Sequence, residues 1–168
     1  YSHRLGERKL LTASGVAYCW GGNAIGQLGD GTTSDRLTPV LVAGGFSFTT
    51  LAAGEYHTCG VTASGSAYCW GSNLWGRLGD GTTTNRSTPV LVNGFSFATL
   101  DAGSQHTCGV ITSGTAYCWG ANPYGGVGDG TTIVRLTPTA VTGGLSFASV
   151  QTGVEHSCGV TTASEAYC

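Results

Sequence analysis

The sequence predicts an all-β fold of β-propeller blades, each with four antiparallel strands: three repeats of about 50 residues forming a partial propeller or open arc. Three observations carry this prediction. Tyr-Cys-Trp-Gly occurs at Tyr18–Gly21, Tyr68–Gly71 and Tyr117–Gly120, and Tyr167-Cys168 begins a fourth copy, at spacings of 50, 49 and 50 residues. Within each repeat, short runs of β-forming residues alternate with glycine-marked turns. Twenty-nine of the 168 residues are glycine and only 10% are charged, with one lysine and four glutamates. Helical surfaces lean on Lys, Glu and Ala in periodic patterns, so this composition speaks for strands.

The elements follow in order. Residues 1–19 form a stub in which only Thr12–Cys19 matches the repeat, as the last strand of a preceding blade or an altered version of its hairpin. Three units follow at 20–69, 70–118 and 119–168. In the first, strands are expected at Thr38–Val42, Phe48–Ala53, His57–Thr62 and Ser66–Gly71. The last two make a hairpin around Ala63-Ser64-Gly65, where glycine supplies the backbone freedom of a tight turn. The segment from Gly21 to Leu37 reads as an ordered, glycine-shaped connection. A one-residue deletion, where Gly44-Gly45 becomes a single Gly94, marks a loop.

Cysteines fall symmetrically about each hairpin. Cys59 and Cys69, Cys108 and Cys118, and Cys158 and Cys168 are each ten residues apart. Residues opposed across a non-hydrogen-bonded position lie close enough for a disulfide. Closing so short a loop is worth about 2–3 kcal/mol in the chain-entropy account. Free core cysteines and a zinc site are the alternatives, although the spacing lacks the paired close motifs of zinc. Cys19 is the unpaired one, because its counterpart position holds Lys9. Disulfides would set the protein outside the cytoplasm.

The string Trp70-Gly71-Ser72-Asn73, then Gly76, Leu78-Gly79 and Gly81, followed by Thr88-Pro89-Val90, Ala102-Gly103, His106, Gly114 and Tyr117-Cys118-Trp119-Gly120 resembles the regulator-of-chromosome-condensation repeat. The likeness recurs three times over about residues 12–168. It implies a seven-bladed propeller. Relatives of this kind include a guanine-nucleotide exchange factor, a plant ultraviolet-B photoreceptor and a secreted inhibitor of β-lactamases, so it leaves function open. The sequence departs from the family in having three units and in its paired cysteines.

Residues that recur with the repeat read as scaffold. His57, His106 and His156 are expected to be satisfied within their blades by backbone groups. Asp30, Asp80 and Asp129 stand in Gly-Asp-Gly-Thr-Thr turns without the alternating carboxylates of a calcium loop. Arg36, Arg86 and Arg135 are expected to cross-link loops. No metal site and no cofactor are expected. The chain lacks a Gly-x-Ser-x-Gly elbow, a phosphate-cradling loop and a His-Glu-x-x-His, and on that ground it is read as not an enzyme.

Positions where the units differ are free for recognition. The loop after Trp-Gly-x-Asn reads Ala24-Ile25-Gly26-Gln27, Leu74-Trp75-Gly76-Arg77 and Pro123-Tyr124-Gly125-Gly126. The turn before each histidine reads Glu55-Tyr56, Ser104-Gln105 and Val154-Glu155. Tyr56, Trp75, Arg77 and Tyr124 are of the types that dominate protein-binding hot spots and form the candidate site. A net charge of −2 offers no basic field for nucleic acid, and no stretch reaches 18 apolar residues, so no membrane insertion is expected. The expected function is an extracellular, non-catalytic scaffold presenting propeller loops to a protein partner or to further copies of itself, as a homo-oligomer or part of a larger propeller. Two alternatives stand beside it: a structural surface or fibre component built edge to edge, and a regulatory propeller resembling an exchange factor. Open strand edges are what make self-assembly a candidate.

Overall fold

Alternation of small or apolar residues with polar ones gives each hairpin one face that must be covered, and the repeat covers it with the next blade. A computed structural model describes residues 8–168; the first seven residues of the stub lie outside the described residues. Strands β1 (Arg8–Leu11), β2 (Ala17–Gly21) and β3 (Arg36–Leu41) form one antiparallel sheet. The next blade holds β4 (Phe48–Ala53), β5 (His57–Thr62), β6 (Ser66–Gly71) and the first part of β7 (Arg86–Ala102). The second part of β7 opens the following blade with β8 (His106–Ile111), β9 (Ala116–Gly120) and β10 (Arg135–Ala140). β11 (Phe147–Thr152), β12 (Ser157–Thr161) and β13 (Ala166–Tyr167) make the last sheet. The arrangement is open and not a closed ring.

β7 is one 17-residue strand where the other two connections break into turns. Gly44-Gly45 and Gly143-Gly144 take positive φ as pairs, whereas the shorter link has the single Gly94, at a φ of 103°, within a strand that runs on through it. The deletion therefore straightens this connection instead of making a loop there.

The hairpin register explains the cysteines. Cys59 pairs with Cys69 and Cys108 with Cys118 across their hairpins. Disulfides join Cys59–Cys69, Cys108–Cys118 and Cys158–Cys168, each with Cα atoms 4.1 Å apart. Cys19 is buried in the first sheet, where its strand partner is Lys9.

The first two junctions between blades are each filled by an indole. Trp70 is fully buried among Ala17, Cys19, Leu28, Val42 and Phe48. Trp119 occupies the same place among Ala67, Cys69, Leu78, Val92 and Phe97. The rings of Phe48 and Phe97 lie 5.8 and 5.6 Å from these indoles. Gly29 and Gly79 are required by this contact. Both have positive φ, and a Cβ on either would lie 2.7 Å from the indole nitrogen.

Candidate protein-interaction face

Because strands alternate in direction, the turn between β4 and β5 and the long loop after β6 emerge at the same end of the blade. All four candidate residues therefore share one face, but they differ in what they offer to a partner. The loops that carry them are clamped from below. Asn73 Nδ2 donates to Asp80 Oδ1 at 3.0 Å and to the Thr82 carbonyl at 3.0 Å, while its Oδ1 accepts the Leu78 N–H at 3.0 Å. Asp80 Oδ1 also accepts from Thr82 N and Oγ1, at 2.9 and 2.8 Å, and Oδ2 pairs with Arg86 Nη2 at 2.9 Å. Asn23, Asp30 and Arg36 repeat this clamp in one neighbouring loop, and Asn122, Asp129 and Arg135 in the other. The arginines thus lock the loop that precedes their own strand.

Burial alone would raise the pKa of Asp30, Asp80 and Asp129. The hydrogen bonds from threonine, arginine and asparagine outweigh it and hold all three carboxyls below their ordinary value. An alanine at Asn73 would orphan the Leu78 N–H and remove a donor from Asp80. The expected loss is about 2–3 kcal/mol of folding stability, measured by urea unfolding. A loss under about 0.5 kcal/mol would show that the clamp does not hold the loop.

On these clamped loops Leu74 and Trp75 are 62% and 43% exposed, and Tyr124 is 72% exposed. Arg77 instead points inward and is only 3% exposed. Its Nη1 donates to the Ser104 carbonyl of the next blade at 2.8 Å, and its guanidinium lies 6.0 Å from the centre of the Tyr56 ring. Burial lowers the Arg77 pKa, opposed by Tyr56 and Glu55. Ser104 Oγ donates to Glu55 Oε2 at 2.6 Å, so Glu55, Tyr56, Arg77 and Ser104 form a staple between two blades. Tyr56 is half-buried within it. Trp75 and Tyr124 are the outward members of the four.

His57 and His106 also join blades and are not satisfied by backbone groups within them. His57 Nε2 lies 2.7 Å from Thr107 Oγ1, which donates its proton to the Arg77 carbonyl at 2.8 Å. The hydroxyl has one proton, so His57 Nε2 must carry the hydrogen. His106 Nε2 meets Ser157 Oγ at 2.8 Å, and that hydroxyl donates to the Gly126 carbonyl at 2.8 Å. A signal for this was present in the sequence: Thr58, Thr107 and Ser157 put a hydroxyl directly after every repeated histidine. Asp101 ties the inner strands together, accepting Thr152 N at 2.6 Å and Thr152 Oγ1 at 2.8 Å.

The model of the regulator of chromosome condensation (RCC1) repeat matches residues 14–61, 64–110 and 113–160, and a second RCC1-repeat model matches 97–125. The chain belongs to the RCC1-repeat family. No curated protein sequence matches it. Among solved structures it is similar to human WBSCR16, with a TM-score of 0.83, 20% identity, and coverage of 93% of this chain and 42% of that one. It is similar to Prp20p of Saccharomyces cerevisiae, described with its binding to Gsp1p and histones, at a TM-score of 0.81 and 23% identity, covering 93% and 42%. The ectodomain of the Physcomitrella patens receptor kinase CR4 follows with a TM-score of 0.64 and 24% identity, covering 97% and 38%. The RCC1-repeat chain therefore spans about two-fifths of the length of these structures. At such identities the likeness establishes the fold.

Two expectations are corrected by these comparisons. The first is that the chain is not an enzyme. Yeast RCC1 (Prp20), solved bound to Kap60 and described with its binding to Gsp1p, shares this fold, which leaves a role of the exchange-factor kind open. Exchange is accelerated by binding a partner's nucleotide-free state more tightly than its loaded state, which needs no nucleophile or metal. A lack of catalytic motifs therefore excluded nothing of this kind. The second is the extracellular placement. The likeness to Prp20p and WBSCR16, which have the higher TM-scores here, gives that placement no support. Disulfide pairing does not by itself fix the compartment.

Proposed function

We propose that this RCC1-repeat chain is the partner-binding part of a regulatory propeller of the exchange-factor kind. Its protein partner is held on the end of the blades that carries Trp75 and Tyr124. The observation that supports this most directly is the pairing of exposed Leu74-Trp75 and Pro123-Tyr124 tips with loops whose other polar groups are internally bonded. A rigid loop loses little entropy on binding, and a half-exposed aromatic gains much by being covered. Tyr56 and Arg77 act behind this surface by fixing one blade against the next. The binding of Gsp1p by yeast Prp20p makes a small GTPase the first partner to try.

The test is titration of a nucleotide-free GTPase of the Gsp1p class onto the chain, together with nucleotide-release rates. Trp75→Ala and Tyr124→Ala are each expected to weaken binding about tenfold or more while leaving the melting temperature unchanged. Equal affinity in both variants would place the partner elsewhere. A fall in melting temperature would make Trp75 a packing residue and overturn its role here.

A further inference from the structure

Asn93-Gly94 is the one Asn-Gly pair in the sequence, and it stands in the shortened link within β7. Both residues are exposed. Neither has a ladder partner. Pairing of β7 with β6 passes from Leu91 opposite Tyr68 to Ser96 opposite Ser66, and pairing with β8 starts at Phe97. The Asn93 N–H meets the Gly79 carbonyl at 3.5 Å. At the same place in the other two links, Ala43 and Thr142 make this bond to Gly29 and Gly128 at 2.9 Å. Among the described residues, none is hydrogen-bonded to the Asn93 side chain. Gly94 puts no side chain beside its own nitrogen, and a Cβ there would meet nothing within 4 Å.

We propose that Asn93 is a self-modification site, at which the folded chain deamidates to aspartyl and isoaspartyl forms. The Gly94 nitrogen attacks Asn93 Cγ and forms a C–N bond. The side-chain amide nitrogen leaves as ammonia, completed by the proton of the Gly94 N–H, and a five-membered succinimide remains. Water then adds to one of the two ring carbonyls and breaks its C–N bond. Opening at Cγ gives aspartate, and opening at the main-chain carbonyl gives isoaspartate, whose extra methylene lies in the main chain. Water is the only co-reactant. The other candidates are protected. Asn23, Asn73 and Asn122 are fully buried, and Asn122 precedes proline, which has no N–H to give. Asn85 Oδ1 accepts the Asn73 N–H at 2.7 Å, and the side chain of Arg86 hinders the nitrogen that follows. Asp30, Asp80 and Asp129 also precede glycine, but each is tied through Oδ1 to threonine and through Oδ2 to arginine. Those bonds hold the carboxyls ionised, and a carboxylate is a poor electrophile. The site matters because β7 is the link between two blades. Val92, 1% exposed, and Phe95, with its ring 4.0 Å from that of Tyr117, flank it. Isoaspartate lengthens the main chain at the place where the other links have a second glycine. Either product adds one negative charge, taking the net charge from −2 to −3.

The experiment incubates the intact, folded chain in warm, mildly alkaline buffer. It follows released ammonia and the appearance of a more acidic form on ion exchange. Fragmentation of the tryptic peptide 87–135 after reduction locates the change. A single ammonia per chain is expected, with aspartate and isoaspartate both found at position 93. Asn93→Gln is an exposed change that leaves the fold intact, and it should slow ammonia release about tenfold or more, because glutamine has to close a six-membered imide. Ammonia release from Asn93→Gln at the native rate overturns the proposal. So does equally fast reaction of another asparagine or of an Asp-Gly pair in the folded chain. Conversion of Asn93 only after unfolding in urea overturns it as well, since the strand would then hold the residue out of reach.

Discussion

Trp119→Ala is expected to cost about 3–5 kcal/mol of folding stability, a large part of what a domain of this size possesses. The indole is fully buried and touches residues of two blades, so its removal separates Leu78, Val92 and Phe97 across a void. A cavity term adds to the lost transfer energy because the disulfide-tied hairpin Cys59–Cys69 cannot collapse inward. The hydrogen bond from Nε1 to the Arg77 carbonyl is lost as well. Trp70→Ala makes an internal comparison. Trp70 has the same burial but its Nε1 has no hydrogen-bond partner, so its replacement should cost about 1 kcal/mol less. Urea unfolding of both variants measures the difference. A cost below about 1.5 kcal/mol for Trp119→Ala would mean that the strand ladders, and not the indoles, hold the blades together.

What could be read from the sequence was local in origin. β4, β5 and β6 lie at Phe48–Ala53, His57–Thr62 and Ser66–Gly71, the bounds expected from alternation and turn residues. A three-residue turn fixes hairpin register, so the facing of Cys59 and Cys69 followed from their spacing. The strand expected at Thr38–Val42 begins earlier, at Arg36, because the Asp30 clamp draws the arginine into the sheet edge. Contacts between repeats were harder to see. Nothing near Arg77 in sequence reveals Ser104 as its acceptor, since the whole of β7 lies between them. Variation among repeats marked Trp75 and Arg77 alike, yet one faces solvent and the other closes a junction. Variability therefore signals release from the blade's own constraints, and it does not say which way a side chain turns. The histidines show the converse. Their repetition identified them as scaffold, but assigned the partner to the wrong blade.

Acidification between pH 7 and 4.5 is expected to destabilise the fold by about 2–3 kcal/mol through His57 alone. His57 is completely buried, and its Nε2 is hydrogen-bonded to Thr107 Oγ1. Nδ1 has no acceptor within reach, so a proton added there would be buried and unpartnered. Burial, with the nearby charges of Arg77 and His106, pushes the His57 pKa down to about 3. His106 shifts in the same direction, also chiefly by burial. The unfolded chain has an ordinary imidazole that titrates near 6.5 and takes up its proton first as pH falls. Stability from this group is therefore complete above about pH 6.5 and is lost progressively down to about pH 3. The clamped carboxyls of Asp30, Asp80 and Asp129 are lowered below their ordinary values and lose their contribution only below about pH 4. The interval from pH 6.5 to 4.5 thus isolates the histidines. Melting curves across it should show a steady fall for the native chain and a clearly shallower one for His57→Gln, whose amide can still donate to Thr107. Identical slopes would mean that the imidazole is reached by water, and that the hydroxyl relay between blades is not the buried, neutral link inferred from its geometry.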